Sequence, residues 1–582
     1  MLLTNVCFGQ NTKLLQINSQ SAKHTIESKQ VHKYEVFLQR DIFYSISVEQ
    51  LGIDVVLQLM DAKGKTIADK DSPTGKLGEE KITFSPDSSG KFMVCVQALD
   101  EAENSQAGTY SVQISTISKE LKHFTISQLL RDFDILKNAY IETRVGLWYN
   151  TYSQFDSLCN SQRKKLKDQM TALDFYRITA PITAFTKEGH SSIAVSDATN
   201  DYFKQHGRYF PFFVKLIDKK LFVINDVSKL STKGLMITKI NGLSADSILK
   251  SFEMIEPADG FNVTSKHKWI EGSFSKYYIR FFGSPATYQI EFVDPTNKKK
   301  TIENIPSLKY KEYVSFRNEF LEQNPNYSFT QPAELGIDSS LVLATLTIND
   351  FGAGNYNGKA GFKKFLDESF ATIKTRDIKH LVIDLRKNEG GSQGMEDILL
   401  SYLIDQTYKK YKYAEIPSFD YSFLDYTDYK GQADVLRREL SKEFYQVTDG
   451  RYLQRPGQYE GLPPDSMHYS GKVYILISGL TFSGGSEFAA LAKNHTNAIF
   501  IGEETGGGYY GNTSGRFLIF TLPETKTTGR LPLIKYVVET NVNKPSFGQG
   551  LVPDHPLQQS IQDYIDKRDV EKEFVKKIIA GN

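Results

Sequence analysis

The sequence predicts a multidomain α+β protein, with an N-terminal β-sandwich, a small helical region, a second β-rich domain and an α/β core. Three observations support this. The chain has 582 residues, which is too long for one hydrophobic core. Its apolar periodicity changes from that of strands to that of helices and back. Its last third alternates continuous apolar runs with amphipathic segments, as α/β cores do.

Residues 15–118 read as strands throughout. The runs YEVFL, YSISV, VVLQLM, KITF, KFMVCVQ and YSVQIS are separated by turn signals such as DAKGK and SPDSSG. Short strands with this punctuation predict a β-sandwich. The patterns GIDVVLQLMDAKGK, SGKF and AGTY resemble bacterial pre-peptidase C-terminal domains, which are sandwich modules appended to secreted peptidases. A β-sandwich spacer of another kind stays open.

The first fourteen residues resemble the end of a secretory signal peptide. MLLTNVCFGQNTK has a short apolar stretch followed by small and polar residues, but it lacks a basic start. We expect residues 1–14 to be a signal remnant and the protein to be periplasmic or extracellular in a bacterium. Lipid attachment at Cys7 stays open, although Asn5 and Val6 fit a lipobox poorly.

Composition excludes several functional classes. The 70 Lys and Arg nearly balance the 69 Asp and Glu, and no basic block marks a nucleic-acid surface. No apolar run is long enough for a membrane span. The cysteines Cys7, Cys95 and Cys159 form no CxxC pair, so we predict no metal site and no cofactor. Cys95 lies in an apolar run and is expected to be a buried thiol.

Residues 119–204 switch to a helical period and are predicted to be the helical N-terminal part of the catalytic unit. In FTISQLLRDFDILKNAY the apolar side chains recur on one helix face. Thr125 or Ser127 is placed to cap its start. DSLCNSQRKKLKDQM and TALDFYRITAPITAF are predicted to form the following helices.

Residues 205–305 return to a strand pattern. KGLMITKINGLSADSILKSF predicts a strand, an Asn-Gly turn and an amphipathic helix. This order resembles the core of a PDZ domain, which binds a peptide at a sheet edge. The glycine-rich carboxylate-binding loop is not evident, so peptide binding by this domain stays open.

Residues 306–582 are predicted to form the α/β catalytic core. LVLATLTI, HLVIDL, KVYILIS and NAIFIGEE are continuous apolar runs, as expected for strands that are buried on both faces. GFKKFLDESFATIK, GGSEFAALAKN and VEKEFVKKII are predicted helices. The Tyr-rich stretch 410–470 has weak periodicity and is predicted to be a long surface excursion.

Three strand-to-loop junctions carry the candidate chemistry. The strand HLVIDL leads into Gly390-Gly391, whose amides can point at a developing oxyanion. In KVYILISGLTFSGGSEFAALAKN, Ser483 stands where a helix begins, either as a nucleophile at the helix N-terminus or as a plain N-cap. NAIFIGEETGGGYYGNTSG is glycine-rich but lacks GxxxxGK[ST], which argues against a phosphate-binding loop.

The order DLRKNEGG, TFSGGSEFA, GEETGG and GQGLVPD resembles the S41-type peptidases, the family of tail-specific proteases and the tricorn core. The resemblance covers roughly residues 120–575. It implies a ClpP/crotonase-like catalytic core, with Ser483 as nucleophile and the amides near Gly390, Gly391 and Gly484 as the oxyanion site. Ser486 is the nearby alternative for the nucleophile, and it ranks well below Ser483.

One departure from the family pattern decides the choice of base. Ser-Lys members carry Lys in the loop after the next strand, and Gly508 occupies that position here. A serine hydroxyl is a weak nucleophile without a base. His190, in AFTKEGHSSIAV, matches the GH[ST] segment of the tricorn-like branch and is the preferred base. His495 and His555 are alternatives.

The acceptor that orients the histidine is less defined. The tricorn-like Glu would precede the GxGxxPD segment, but Phe547 stands near that place. Glu504 is our choice, with Glu503 and Glu539 as alternatives.

We therefore predict a secreted serine endopeptidase that acts on protein or peptide substrates. The alternative is a catalytically degenerate binding protein on the same fold, and an esterase or acyl transferase is a third reading. Specificity and oligomeric state stay open.

Overall fold

The computed structural model describes residues 12–19, 22–71, 76–99, 107–144, 148–226, 231–324, 331–540 and 546–581. Most of the predicted leader, including Cys7, lies outside the described residues. The chain divides into two compact units, residues 1–122 with 197–207 and residues 123–196 with 208–582. Within the described ranges, no helix has both the length and the apolar character needed to cross a membrane.

The first unit is a β-sandwich, as predicted. Its strands are β1 (Lys13–Leu14), β2 (Lys23–Glu27), β3 (Val31–Leu38), β4 (Tyr44–Leu51), β5 (Val55–Asp61), β6 (Thr66–Lys70), β7 (Leu77–Phe84), β8 (Gly90–Ala98) and β9 (Ala107–Thr116). They form two sheets, of order β1-β3-β8-β5-β6 and β2-β9-β4-β7. Alternate side chains such as Val36, Val48 and Val96 form the shared core. Cys95 is a buried free thiol, as expected.

The predicted helical region follows. Its elements are β10 (His123–Phe124), α1 (Ile126–Glu142), α2 (Tyr152–Arg163), β11 (Met170–Thr171), α3 (Ala172–Phe185), β12 (Ser192–Ala194) and α4 (Asp197–His206), the last of which belongs to the first unit. Thr125 caps α1 by accepting the N–H of Gln128, which confirms one of the two predicted caps.

The second β-rich region is an antiparallel sheet covered by two helices. Its elements are β13 (Phe212–Ile217), β14 (Lys220–Asp226), β15 (Met236–Ile240), β16 (Leu243–Ser244), α5 (Ala245–Glu253), α6 (Thr264–Phe282), β17 (Thr287–Val293) and β18 (Lys300–Pro306). The sheet order is β13-β14-β15-β17-β18, with β16 beside β15. The predicted strand, Asn241-Gly242 turn and helix are all present. The PDZ class stays a prediction.

The catalytic core contains the remaining elements. They are α7 (Tyr310–Gln323), β19 (Ala333–Asp338), β20 (Leu343–Ile348), α8 (Lys359–Thr375), β21 (His380–Asp384), α9 (Met395–Ser401), β22 (Tyr411–Ile416), α10 (Ala433–Glu443), β23 (Phe444–Gln446), β24 (Tyr452–Gln454), β25 (Lys472–Ile477), α11 (Gly484–His495), β26 (Ile499–Gly502), β27 (Gly511–Thr521), β28 (Thr528–Val538), β29 (His555–Pro556), α12 (Ile561–Ile565) and α13 (Val570–Ala580), with short 3₁₀ turns at Ala353–Tyr356 and Leu424–Tyr426.

The central sheet of this core has the order β19-β20-β21-β25-β26-β29. All neighbours from β20 onward are parallel, which explains the continuous apolar runs in their sequences. Because parallel strands end at the same edge, the loops after β21, β25 and β26 lie together there. These are the three junctions that the sequence singled out.

The stretch 410–470 is not a surface excursion, and that prediction was wrong. It contributes β22, β24 and β23 to a second sheet of order β12-β28-β22-β24-β23, with β27 beside β28. Tyr411, Ala414 and Ile416 of β22 are buried in the main core. The weak periodicity reflects a strand whose buried residues depend on β28, a partner distant in sequence.

Candidate active site

Ser483 lies at the start of α11 in a backbone conformation that few residues adopt. Its φ is +51°, in the left-handed region that normally favours glycine. Its side chain makes no capping hydrogen bond to the helix, so the plain N-cap alternative does not hold. Backbone strain of this kind costs about 1–3 kcal/mol and is concentrated at functional sites.

Ser483 and His190 line the same pocket, which has a volume of about 550 Å³. Gly391 and Gly484 also line it, so four of the six predicted site residues meet there. His190 is brought in by the turn after α3, and β12 fixes that turn by pairing antiparallel with β28. Ser483 is brought in by the loop after β25.

The His190 ring packs against Phe482, the residue that directly precedes Ser483. The centroids of the His190 and Phe482 rings are 4.7 Å apart. A Cβ added to Gly189 would lie 2.8 Å from the Phe482 ring, so the ring or the turn would have to shift to accommodate it. The Gly-His pair therefore has a local physical reason: the glycine allows the backbone to approach Phe482, and this approach places the imidazole over the ring.

The surroundings of His190 hold its imidazole in the neutral form. Burial, together with the positive charge of Arg530, lowers the pKa of His190 to about 3. Arg530 also donates to the His190 carbonyl oxygen at 3.0 Å. The Nδ1 atom is buried and has no hydrogen-bond partner among the described residues. A neutral imidazole can accept a proton, but the usual orienting acceptor is not in place.

Of the three amides predicted for the oxyanion site, that of Gly390 is already bonded within the protein, while Gly391 and Gly484 line the pocket. Asn388 is fully buried, and its Oδ1 accepts the N–H of Gly390 at 2.9 Å, so that amide is already bonded. Gly390 instead contributes by having no side chain, because a Cβ there would lie 2.6 Å from the Ser483 Cβ. The N–H of Gly484 opens α11 and has no partner within the helix. Gly391 and Gly484 are thus the remaining candidate donors.

Glu504, the predicted acid, does not line the pocket. Its Oε1 accepts the N–H of Gly550 at 2.8 Å, which turns the carboxylate toward the 548–554 segment. The alternative acids are bonded elsewhere, Glu503 to Lys268 and Glu539 to Lys409. The prediction of Glu504 as the orienting acid therefore has no support from the geometry.

The alternative bases and the competing serine also lie outside the pocket. His495 packs near Tyr408, and His555 packs near Phe574. Ser486 donates its hydroxyl hydrogen to the Ser483 carbonyl oxygen at 2.8 Å and is buried. Of these candidates, only Ser483 and His190 line the pocket together.

Gly508, at the position of the family lysine, leaves no space for one. A Cβ there would lie 2.6 Å from the carbonyl oxygen of Gly511. The Gly508 N–H donates to Asp259 at 3.1 Å. A Ser-Lys dyad is therefore excluded at this position by packing as well as by the missing side chain.

A buried ion cluster beside the pocket was missed in the sequence. Lys410 is buried, and its Nζ lies 2.5 Å from Glu396, 2.8 Å from Asp397 and 3.0 Å from Glu487. Glu396 and Glu487 line the pocket. Burial raises the pKa of Glu487, which Lys410 partly offsets. Glu487 lies one helical turn after Ser483, a spacing that places both on one face and was a usable signal.

A comparison with known families gives the class of the protein, a serine-type peptidase. Residues 342–556 match the model of Peptidase family S41. For these residues, the match confirms the family resemblance read from the motifs.

Two solved structures show the same fold. The chain is similar to mature CPAF complexed with lactacystin, with 15% identity over 78% of this chain and 99% of that chain, and a TM-score of 0.53. A crystal structure of mature CPAF matches with 15% identity, 78% and 98% coverage and a TM-score of 0.53. At this identity the likeness shows the shared fold. No curated protein sequence matches the chain.

Proposed function

We propose that the protein is a secreted endopeptidase in which Ser483 is the nucleophile and His190 is the base. The observation that carries the proposal is that a strained, uncapped serine and a buried neutral histidine line one pocket. The oxyanion site is formed by the amides of Gly391 and Gly484. Protein or peptide segments are the substrates.

The chemistry follows from these positions. The Ser483 Oγ forms a bond to the scissile carbonyl carbon while its proton passes to His190. The C–N bond then breaks, and the imidazolium returns the proton to the leaving amine. Water repeats the sequence on the acyl-enzyme and releases the second product. The negative oxyanion supplies an opposite charge to the imidazolium, because Nδ1 has no hydrogen-bond partner within the described part of the chain.

Hydrolysis of an unfolded protein substrate tests the proposal. Ser483→Ala is expected to abolish cleavage, and His190→Ala to lower kcat by about 10²–10⁴-fold, the usual contribution of a general base. Ser486→Ala is the matched control, since that hydroxyl is three residues away but does not line the pocket. Full activity in His190→Ala would contradict the assigned base.

Export is part of the same proposal and is supported by the leader-like residues 1–14. Lys13 and Leu14 pair with Tyr34 and Glu35 of β3, so we place the end of the leader before Lys13. N-terminal sequencing of the protein recovered from the periplasm or medium tests this. An intact Met1 on the recovered protein would contradict it.

A further inference from the structure

The loop between α5 and α6 contains a buried carboxylate that bonds to two active-site loops at once. Asp259 is 2% exposed. Its Oδ1 accepts the N–H of Gly189 at 2.8 Å, and its Oδ2 accepts the N–H of Gly508 at 3.1 Å. Gly189 directly precedes His190, and Gly508 lies in the glycine-rich loop after β26. One side chain therefore joins the loop of the base to a loop beside the nucleophile.

The residues that follow Asp259 reinforce the same connection. Gly260 N–H donates to Lys187 O at 2.9 Å, and Phe261 N–H donates to Gly548 O at 2.8 Å. The Asn262 side chain donates to Thr505 O at 2.8 Å. We name residues 259–262 the clasp. Their hydrogen bonds connect the His190 loop to the loop at 505–508 and to Gly548.

We propose that Asp259 is a positioning residue that holds His190 beside Ser483 by bonding the Gly189 and Gly508 amides. This inference rests on the proposed function. The imidazole Nδ1 has no hydrogen-bond partner among the described residues, so Asp259 does not bond to that atom. Asp259 acts on His190 through the backbone of Gly189. Gly189 has no side chain that could fix its loop against Phe482, so the hydrogen bond from its N–H to Asp259 does so.

The chemistry of the clasp requires a carboxylate. Two N–H donors face two oxygens, so an asparagine would turn its NH₂ group toward one of them. A protonated Asp259 would hold one N–H less strongly, since the oxygen that carries the proton is a poorer acceptor. A buried acceptor pair of this kind therefore binds both N–H groups most strongly while the carboxyl is ionised.

This makes the clasp sensitive to pH. Burial raises the pKa of Asp259 to about 6, with a further rise from the Glu188 carboxylate, against the two N–H bonds that lower it. The groups nearby are Glu188 and Lys187 on the His190 loop, and Tyr149, whose hydroxyl lies near Gly508. As the pH rises through this pKa, the carboxyl ionises and both of its oxygens become strong acceptors for the two N–H groups.

The first test measures the hydrogen bonds of Asp259 by NMR and does not depend on enzymatic activity. In the full chain labelled with ¹⁵N-glycine, the Gly189 and Gly508 amide resonances are expected to shift together with a midpoint near pH 6. Both shifts should be absent in Asp259→Asn. Separate midpoints, or no shift in the wild type, would overturn the proposal whether or not the protein hydrolyses peptides.

The second test measures, from kcat, KM and the pH profile of kcat, whether Asp259 positions His190. Asp259→Asn is expected to lower kcat by about tenfold or more with KM within about twofold, and to remove an acid limb near pH 6 from the kcat profile. A variant that is merely less stable would keep the limb. Asp246→Asn, an exposed position on α5 bonded to Lys250, is the control and should match the wild type. Wild-type kcat in Asp259→Asn would overturn the proposal. Complete inactivity of the wild type would count against the proposed function, and the amide titration would then decide on the clasp.

Discussion

The imidazole of His190 packs on the phenyl ring of Phe482, with the ring centroids 4.7 Å apart, and Phe482 immediately precedes Ser483. The proposed base and the proposed nucleophile are thus linked through one aromatic contact, although α3 and α11 are far apart in sequence. The contact depends on Gly189, which leaves the space that the ring occupies.

Gly189→Ala is therefore expected to displace His190. The added Cβ would lie 2.8 Å from the Phe482 ring, so the His190 turn must move. We expect kcat/KM to fall by about tenfold or more. Gly272→Ala is the control, because a Cβ at that helical position meets nothing within 4 Å. Equal activity of the two variants would contradict the role given to the glycine.

Gly508→Lys is not expected to restore a Ser-Lys dyad. The new Cβ would press against the Gly511 carbonyl oxygen at 2.6 Å and disturb the bond from Gly508 to Asp259. We expect kcat on a peptide substrate to fall. An activity equal to or above the wild type, with the alkaline pH dependence of a lysine base, would show that the loop accommodates the side chain.

His190 is expected to make the fold less stable in acid. Its folded pKa of about 3 lies below the ordinary 6.5, so the unfolded chain binds a proton that the folded chain does not. The stabilisation is complete above pH 6.5 and is lost at about 1.4 kcal/mol per pH unit as the pH falls toward 3. Urea unfolding at pH 7 and pH 4.5 should show that the wild type loses about 2–3 kcal/mol more than His190→Gln.

The control for that comparison is Ser483→Ala, which changes the same pocket without removing a titratable group. It should keep the acid sensitivity of the wild type. If His190→Gln were as sensitive to acid as the wild type, the buried neutral histidine would not be the cause.

Lys410→Met is expected to destabilise the catalytic core by about 3–5 kcal/mol, because it leaves the carboxylates of Glu396, Asp397 and Glu487 buried without their cation. Lys363→Met is the matched control. Lys363 also pairs with two carboxylates, but its side chain is 44% exposed, and its loss should cost at most about 1 kcal/mol. Denaturant unfolding measures both, and equal losses would contradict the effect assigned to burial.

The parts of the fold that the sequence predicts well are those with local signals. The sandwich strands alternate along their length, and the parallel strands are apolar throughout, so each can be assigned from a few residues. The strand and the helix on either side of Ser483 were predicted in the same way, because strand, serine and helix follow one another within a single segment. The strand β22 was missed because its burial depends on β28, which pairs Val538 with Tyr411.

The parts of the site that were missed depend on long-range contacts. Glu504 stood at a plausible place in its loop, yet its carboxylate turns toward Gly550. Asp259 lies in no motif, and the amides it bonds belong to Gly189 and Gly508. Side-chain direction and such distant pairing are set by packing of the whole core, which short patterns do not encode.

The most direct test of the account is the site of labelling by a fluorophosphonate probe, located by mass spectrometry of peptides from the folded protein. We expect a single modified serine, Ser483, with no labelling in Ser483→Ala and labelling at least about tenfold slower in His190→Ala. Labelling at another serine such as Ser486, or no labelling of folded protein between pH 6 and 9, would contradict Ser483 as the nucleophile.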